Sequence, residues 1–213
     1  SNGTFQGGVN NSDTISGGTF QGEVINDYSY DYAASKYIPG VICGGTFQRE
    51  VHNWGTISDG AFQGAVHNSG TISDGTFQEE VRNNDGTISD GTFQEEVYNN
   101  DGTISGGTFQ REAYNWDTIS DGTFQGTVFN YGTISDGTFQ KPVNNYGTIS
   151  GGTFKEAVEV YAPAGHNATI EGGTFEKGMK LANDDASITI SDGLFDGEVF
   201  IERCRSPLSI TGG

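Results

Sequence analysis

The side chains in this chain that can do chemistry recur in register. Asp59, Asp74 and Asp90 follow one another at steps of 15 and 16 residues, each directly before a glycine, and Asp121 and Asp136 repeat the position further on. Glu79 and Glu95 form a second carboxylate row, and Glu80, Glu96 and Glu112 a third. Like charges brought side by side repel, and a hard cation such as Ca²⁺ relieves that repulsion by bridging them. Asp59, Asp74 and Asp90 are therefore the candidate calcium ligands. Screening by water, helped by Arg49, Arg111 and Lys141 in the Glu79 row, is the simpler account and requires no cofactor.

His52 and His67 hold one outward position in consecutive repeats, in line with Arg82, Tyr98, Tyr114 and Phe129. Two imidazoles about 4.8 Å apart can share a metal ion. No third ligand is evident, so a solvated row is the simpler reading. Cys43 and Cys204 are about ten repeats apart, far beyond the roughly 7 Å between Cα atoms that a disulfide spans. No Ser-His-Asp, Cys-His or phosphate-cradling glycine arrangement stands out, and no acid and base are singled out, so the chain reads as non-enzymatic. Tyr28, Tyr30, Tyr32 and Tyr37 crowd one irregular stretch. Apolar rings with polar tips suit sugars and proteins, which makes these four the candidate ligand-binding residues. The alternative is that they merely cover one side of the scaffold.

What must position these groups is a repeat. From Gly55 the phrase GTISDGAFQGAVHNS recurs with small changes, and from Ile57 to Ile149 its isoleucine returns every 15 or 16 residues. Each repeat carries an isoleucine, a phenylalanine and, in most copies, a valine, about 4–6 positions apart, with polar residues on both sides as in Thr-Ile-Ser and Thr-Phe-Gln. That spacing makes no helical stripe and fits short strands with one inward residue each. Such a repeat cannot bury its apolar residues alone and must stack on copies of itself. The expected fold is all-β: a single-stranded parallel β-helix, or β-solenoid, of about 12 short triangular coils. Parallel crossovers are generally right-handed, and short coils are compatible with either hand. The third residue after every row isoleucine is glycine, from Gly18 to Gly213, always preceded by Asp or Gly, which marks a corner needing positive φ. Asn11, Asn26, Asn53, Asn68, Asn83, Asn99, Asn115, Asn130 and Asn145 stand two after the valine row. They are read either as a hydrogen-bonded ladder or as simple turn formers.

The chain is expected to be one solenoid domain over residues 1–213, taken from a longer array. A Tyr-rich insertion covers 25–41, and smaller insertions fall at 159–168, 182–187 and 202–207. With 28 Asp and Glu against 10 Lys and Arg, its formal charge is −18, which disfavours nucleic acid and anionic membrane as partners. No run of 18 apolar residues is present, so no bilayer insertion is expected.

The GTISDGTF repeats resemble those of large bacterial cell-surface proteins of the β-solenoid adhesin type, especially from gut bacteria. The resemblance implies an extracellular stalk or adhesin segment without catalytic residues. The leading expectation is a stiff acidic rod presenting loops for attachment to host glycan or surface protein, with end-to-end self-association as a further partner. A carbohydrate-active β-helix enzyme, with acids near Tyr28–Tyr37, is the alternative. The row Thr56/Ser58 to Thr148/Ser150 looks like the Thr-x-Thr ladder of ice-binding solenoids and gives a third reading.

Overall fold

The computed structural model describes residues 3–184 and 186–212. Among them there is no helix, and two compact units divide the chain, residues 1–110 and 111–213. Each unit is a parallel β-solenoid in which a residue pairs with its counterpart one repeat away. In the first, Thr71 and Ile72 lie against Thr87 and Ile88, Phe77 against Phe93, and Val81 against Val97. In the second, Ile119 meets Ile134, Phe124 meets Phe139, and Val128 meets Val143. The predicted β-solenoid fold is what the chain adopts.

The core is the three apolar rows. Ile57, Phe62, Ile72, Phe77 and Val81 are fully buried in the first unit, as are Ile119, Phe124, Ile134 and Phe139 in the second. Phenylalanine rings stack face to face at the coil spacing, 4.8 Å and 7° between Phe62 and Phe77, and 4.9 Å and 6° between Phe124 and Phe139. Parallel pairing sets that spacing, and identical residues in register fill it without a gap.

The corner after the isoleucine strand separates two short strands in most described repeats, as between Thr71–Ile72 and Thr76–Phe77. In Val41–Phe47 and Thr56–Phe62 the isoleucine and phenylalanine strands run as one strand, bent at the glycine. The glycines there hold φ between 100° and 146° in every described repeat; Gly213 lies outside the described residues. At Gly75, with φ 131°, a Cβ would also press within 3.2 Å of the Phe77 ring. A β-branched residue is doubly disfavoured there, by its own backbone and by the core.

The four insertions share one place in the repeat, the connection from the valine strand to the next isoleucine strand. In the first unit, the segment 25–41 contains an antiparallel hairpin, Tyr28–Asp31 against Lys36–Pro39, while Ile25 and Asn26 still belong to the valine strand and Val41 opens the next strand. In the second, the smaller insertions are not plain loops. They lengthen the valine strand to Val158–Ala162, Met179–Asn183 and Val199–Cys204, which pair with one another; Asp185 lies outside the described residues. Register identifies Met179 as the row residue, opposite Val158, while Val160 continues the asparagine position of Asn145. These last repeats thus form a wider class of coil, with Val160 and Leu181 buried where narrow coils bury asparagine.

Candidate functional site

The polar rows of the repeat have structural partners. Asn53 Nδ2 donates to Asn68 Oδ1, Asn68 to Asn83 and Asn83 to Asn99, each at 2.7 Å; Asn115, Asn130 and Asn145 do the same in the second unit. The side chains are almost fully buried, and the second amide hydrogen reaches a carbonyl, as from Asn68 to Gly70 O at 3.2 Å. The row is a ladder, and it satisfies polar groups that burial would otherwise penalise. Space beside it is tight: a Cβ on Gly70 would collide with the Gly55 carbonyl.

The serines of the Thr-x-Ser row turn along the coil axis. Ser73 Oγ donates to Ile57 O and Ser89 Oγ to Ile72 O, both at 3.2 Å. Asp59, Asp74 and Asp90 stand at successive corners, and each accepts the N–H of the glycine that follows it, at 2.7, 2.7 and 2.8 Å. Each carboxylate thereby caps its own turn through one oxygen. Among the described residues no three His, Cys, Asp or Glu side chains are grouped so that they could hold a metal ion. Cys43 and Cys204 are free, exposed thiols. No described helix is long and apolar enough to cross a membrane.

The hairpin brings the four predicted tyrosines together. Tyr30 faces Tyr37 across the strands, and Tyr28 faces Pro39. The turn is held by Asp31, whose Oδ1 accepts the N–H groups of Ala33 and Ala34 at 2.9 and 3.1 Å, with Ser35 at φ 49°. The rings meet edge to face: Tyr30 lies 4.9 Å from Tyr32 at 81° and 5.0 Å from Tyr37 at 67°, and Tyr28 lies 6.2 Å from Tyr37. Tyr32 is 87% exposed and Tyr37 71%, while Tyr28 and Tyr30 are more than half covered.

Sequence reasoning missed three other groups. In the second unit Trp116, Tyr131 and Tyr146 stack face to face, at 5.4 Å and 9° and then 4.8 Å and 7°. With Pro163 and His166 they line a cleft of about 380 Å³. Stacking uses the ring faces and presents edges to the cleft. The signal was an aromatic residue in three consecutive repeats directly after the asparagine.

Beside Tyr146 lies a charged cleft of about 230 Å³ on the outer face of the widened strands, lined by Glu159, Tyr161, Lys180, Glu202 and Arg203 among others. Lys180 Nζ is 3.0 Å from Glu202, and Tyr161 Oη donates to Asp184 Oδ2 at 2.7 Å. Arg203 Nη2 lies 2.8 Å from Asp184 Oδ1 but donates to Oδ2 at 2.9 Å, so Oδ1 is charge-paired without a hydrogen bond. The hydrogen bond to Glu202 raises the Lys180 pKa. Hydrogen bonding to Asp184, then burial, raises that of Tyr161. Burial, then Tyr131, raises that of Tyr146. All three shifts hold the proton on, the opposite of what a general base needs.

In the first unit Glu23 and Glu50 join His52 and His67, and the strand alternation that puts residues two apart on one face was the signal for Glu50. Glu50 Oε1 lies 3.3 Å from His52 Nε2 and 2.7 Å from His67 Nε2, and Glu23 Oε1 lies 3.4 Å from His52 Nε2. Comparison with protein-family models, with curated proteins and with solved structures finds no match for this chain, so a functional reading rests on its own residues.

Proposed function

We propose that the chain is a non-enzymatic, extracellular structural and adhesive module. Its coils serve as an acidic, repeat-built scaffold, and the segments that interrupt the repeat attach to glycan or protein at a bacterial cell surface. The observation that carries this reading is the division of labour between side chains. Asparagine, serine and aspartate of the repeat are bonded to the scaffold, while the most exposed tyrosines sit on the hairpin that breaks it. Edge-to-face packing leaves ring faces open, and a sugar's apolar face stacks on such a surface. Tyr28, Tyr30, Tyr32 and Tyr37 are the residues assigned to the contact.

The test is a glycan array probed with the intact chain, with bound sugars then analysed for cleavage. Binding without bond breakage supports the module. Release of sugar, abolished by changing one carboxylate, would instead establish the enzyme reading. The serine hydroxyls turned onto carbonyls weigh against ice binding, because they are directed along the axis rather than outward as a flat array.

A further inference from the structure

In the second unit an aromatic residue follows the buried asparagine in three consecutive coils, as Asn115-Trp116, Asn130-Tyr131 and Asn145-Tyr146. Their rings stack at 5.4 and 4.8 Å, so the column reaches about 10 Å along the coil axis. The rest of the cleft beside them comes from a tight turn in the 159–168 segment, where the His166 N–H donates to Pro163 O at 3.0 Å and Gly165 holds φ at 84°. The Trp116 indole N–H and the Tyr131 and Tyr146 hydroxyls make no hydrogen bond among the described residues. Tyr146 also lines the adjoining charged cleft. There Lys180 is taken by Glu202 at 3.0 Å, and Glu159 has no ion-pair partner among the described residues.

We propose that this aromatic cleft binds a proline-rich peptide in the polyproline II conformation, with a basic residue of the peptide against Glu159. The chemistry of the wall selects that occupant. The ring faces are used up within the column, and ring edges carry the positive side of the quadrupole. The cleft therefore suits neither the apolar face of a sugar nor a bare cation. Proline rings ask only for apolar contact, which the ring edges and Pro163 supply. A polyproline II helix rises about 3.1 Å per residue with three residues per turn. One turn thus covers about 9.3 Å, close to the length of the column. Its carbonyls have no internal hydrogen bonds, so they are free to accept from the indole N–H and the two phenol hydroxyls on the wall. Glu159, beside the Tyr146 end, gives the charge complementary to an arginine or lysine, and a chain of formal charge −18 attracts basic peptides from a distance. Such a helix is extended before it binds, so little ordering entropy opposes docking. The inference does not rest on the tyrosine hairpin, which belongs to the other unit.

The experiment titrates the intact chain into a fluorescently labelled peptide of eight prolines with an arginine at each end, read by anisotropy. A Gly-Ser peptide of the same length with the same arginines, and the eight prolines with a glutamate at each end, are the comparisons. The arginine–proline peptide should bind about tenfold more tightly than the Gly-Ser peptide, because only the first is extended in advance. Tyr131→Ala and Pro163→Gly should each weaken it about tenfold, as loss of an anchoring contact does. Glu159→Gln should weaken it only about threefold, the worth of an exposed ion pair, and should narrow its advantage over the glutamate peptide. His67→Ala, in the other unit, leaves binding unchanged. Equal affinity for the Gly-Ser peptide would mean attraction by charge alone and overturns the proposal. Full binding by Tyr131→Ala, displacement by an unlabelled linear gluco-oligosaccharide, or no binding of the arginine–proline peptide overturns it as well. The melting temperature verifies that each variant is folded. Tyr131 and Pro163 come from separate segments, so if one variant melts early the other decides.

Discussion

The coils around Asn68 and the hairpin around Tyr30 share one unit and follow opposite rules. In the coils each inward residue of the isoleucine, phenylalanine and asparagine rows has a copy of itself one repeat away. Amide bonds amide at 2.7 Å, and ring covers ring at 4.8 Å. In the hairpin no copy exists, pairing is antiparallel, and the rings meet at steep angles, with Tyr32 and Tyr37 largely in water. Repetition lets the fold satisfy its polar groups, and it also uses up their capacity to recognise anything else. Groups free for recognition occur where the repetition stops.

That contrast can be broken or sharpened by substitution, beginning with the core. Phe77→Ala opens a void in the ring stack and should cost about 3–5 kcal/mol, read from denaturant unfolding. Asn68→Ala leaves Asn53 Nδ2 without its ladder acceptor and Asn83 Oδ1 without its donor, both in buried positions. A loss of about 1–3 kcal/mol is expected for the orphaned Asn83 Oδ1, since Asn53 Nδ2 keeps the Gly55 and Thr71 carbonyls. A negligible loss would mean that the row is only a set of turn formers. Asp74→Asn keeps an acceptor for the Gly75 N–H and should change stability by less than about 0.5 kcal/mol. A large drop reproduced by chelating Ca²⁺ from the wild type would restore the bridged-carboxylate reading.

The smallest effect concerns alkaline pH. Tyr161 has its folded pKa raised, first by the hydrogen bond to Asp184. A group raised on folding contributes its stability fully below its unfolded pKa, about 10 for tyrosine, and loses it as pH rises through the folded value. Asp184→Asn should therefore bring the absorbance titration of Tyr161 to lower pH and remove a part of the stability that the wild type loses only above about pH 10.

Much of the architecture was legible because the repeat is nearly literal. Ile57, Phe62 and Val66 recur with glycine and asparagine at fixed offsets, and parallel pairing turns a fixed offset into a contact. The asparagine row remained ambiguous, since a turn former and a ladder rung need the same residue type; burial decided it. In sequence the wide coils look like insertions, because Val160 and Leu181 stand where the repeat has asparagine and only register shows a lengthened strand. Trp116 and Tyr131 are each, in their own repeat, an ordinary exposed aromatic, and only stacking makes them a wall. Glu50 meets both His52 and His67 only because stacking brings residues 15 apart side by side.

The most direct test pairs two variants in one experiment. Tyr30→Ser/Tyr37→Ser and Asn68→Ala are each measured for melting temperature and for retention of a glycan or protein ligand identified with the wild type. The double serine variant should lose that ligand while melting within a degree or two of the wild type. Asn68→Ala should melt well below it yet still bind at temperatures where it is folded. Full retention of the ligand by the double serine variant would contradict the assignment of attachment to the hairpin.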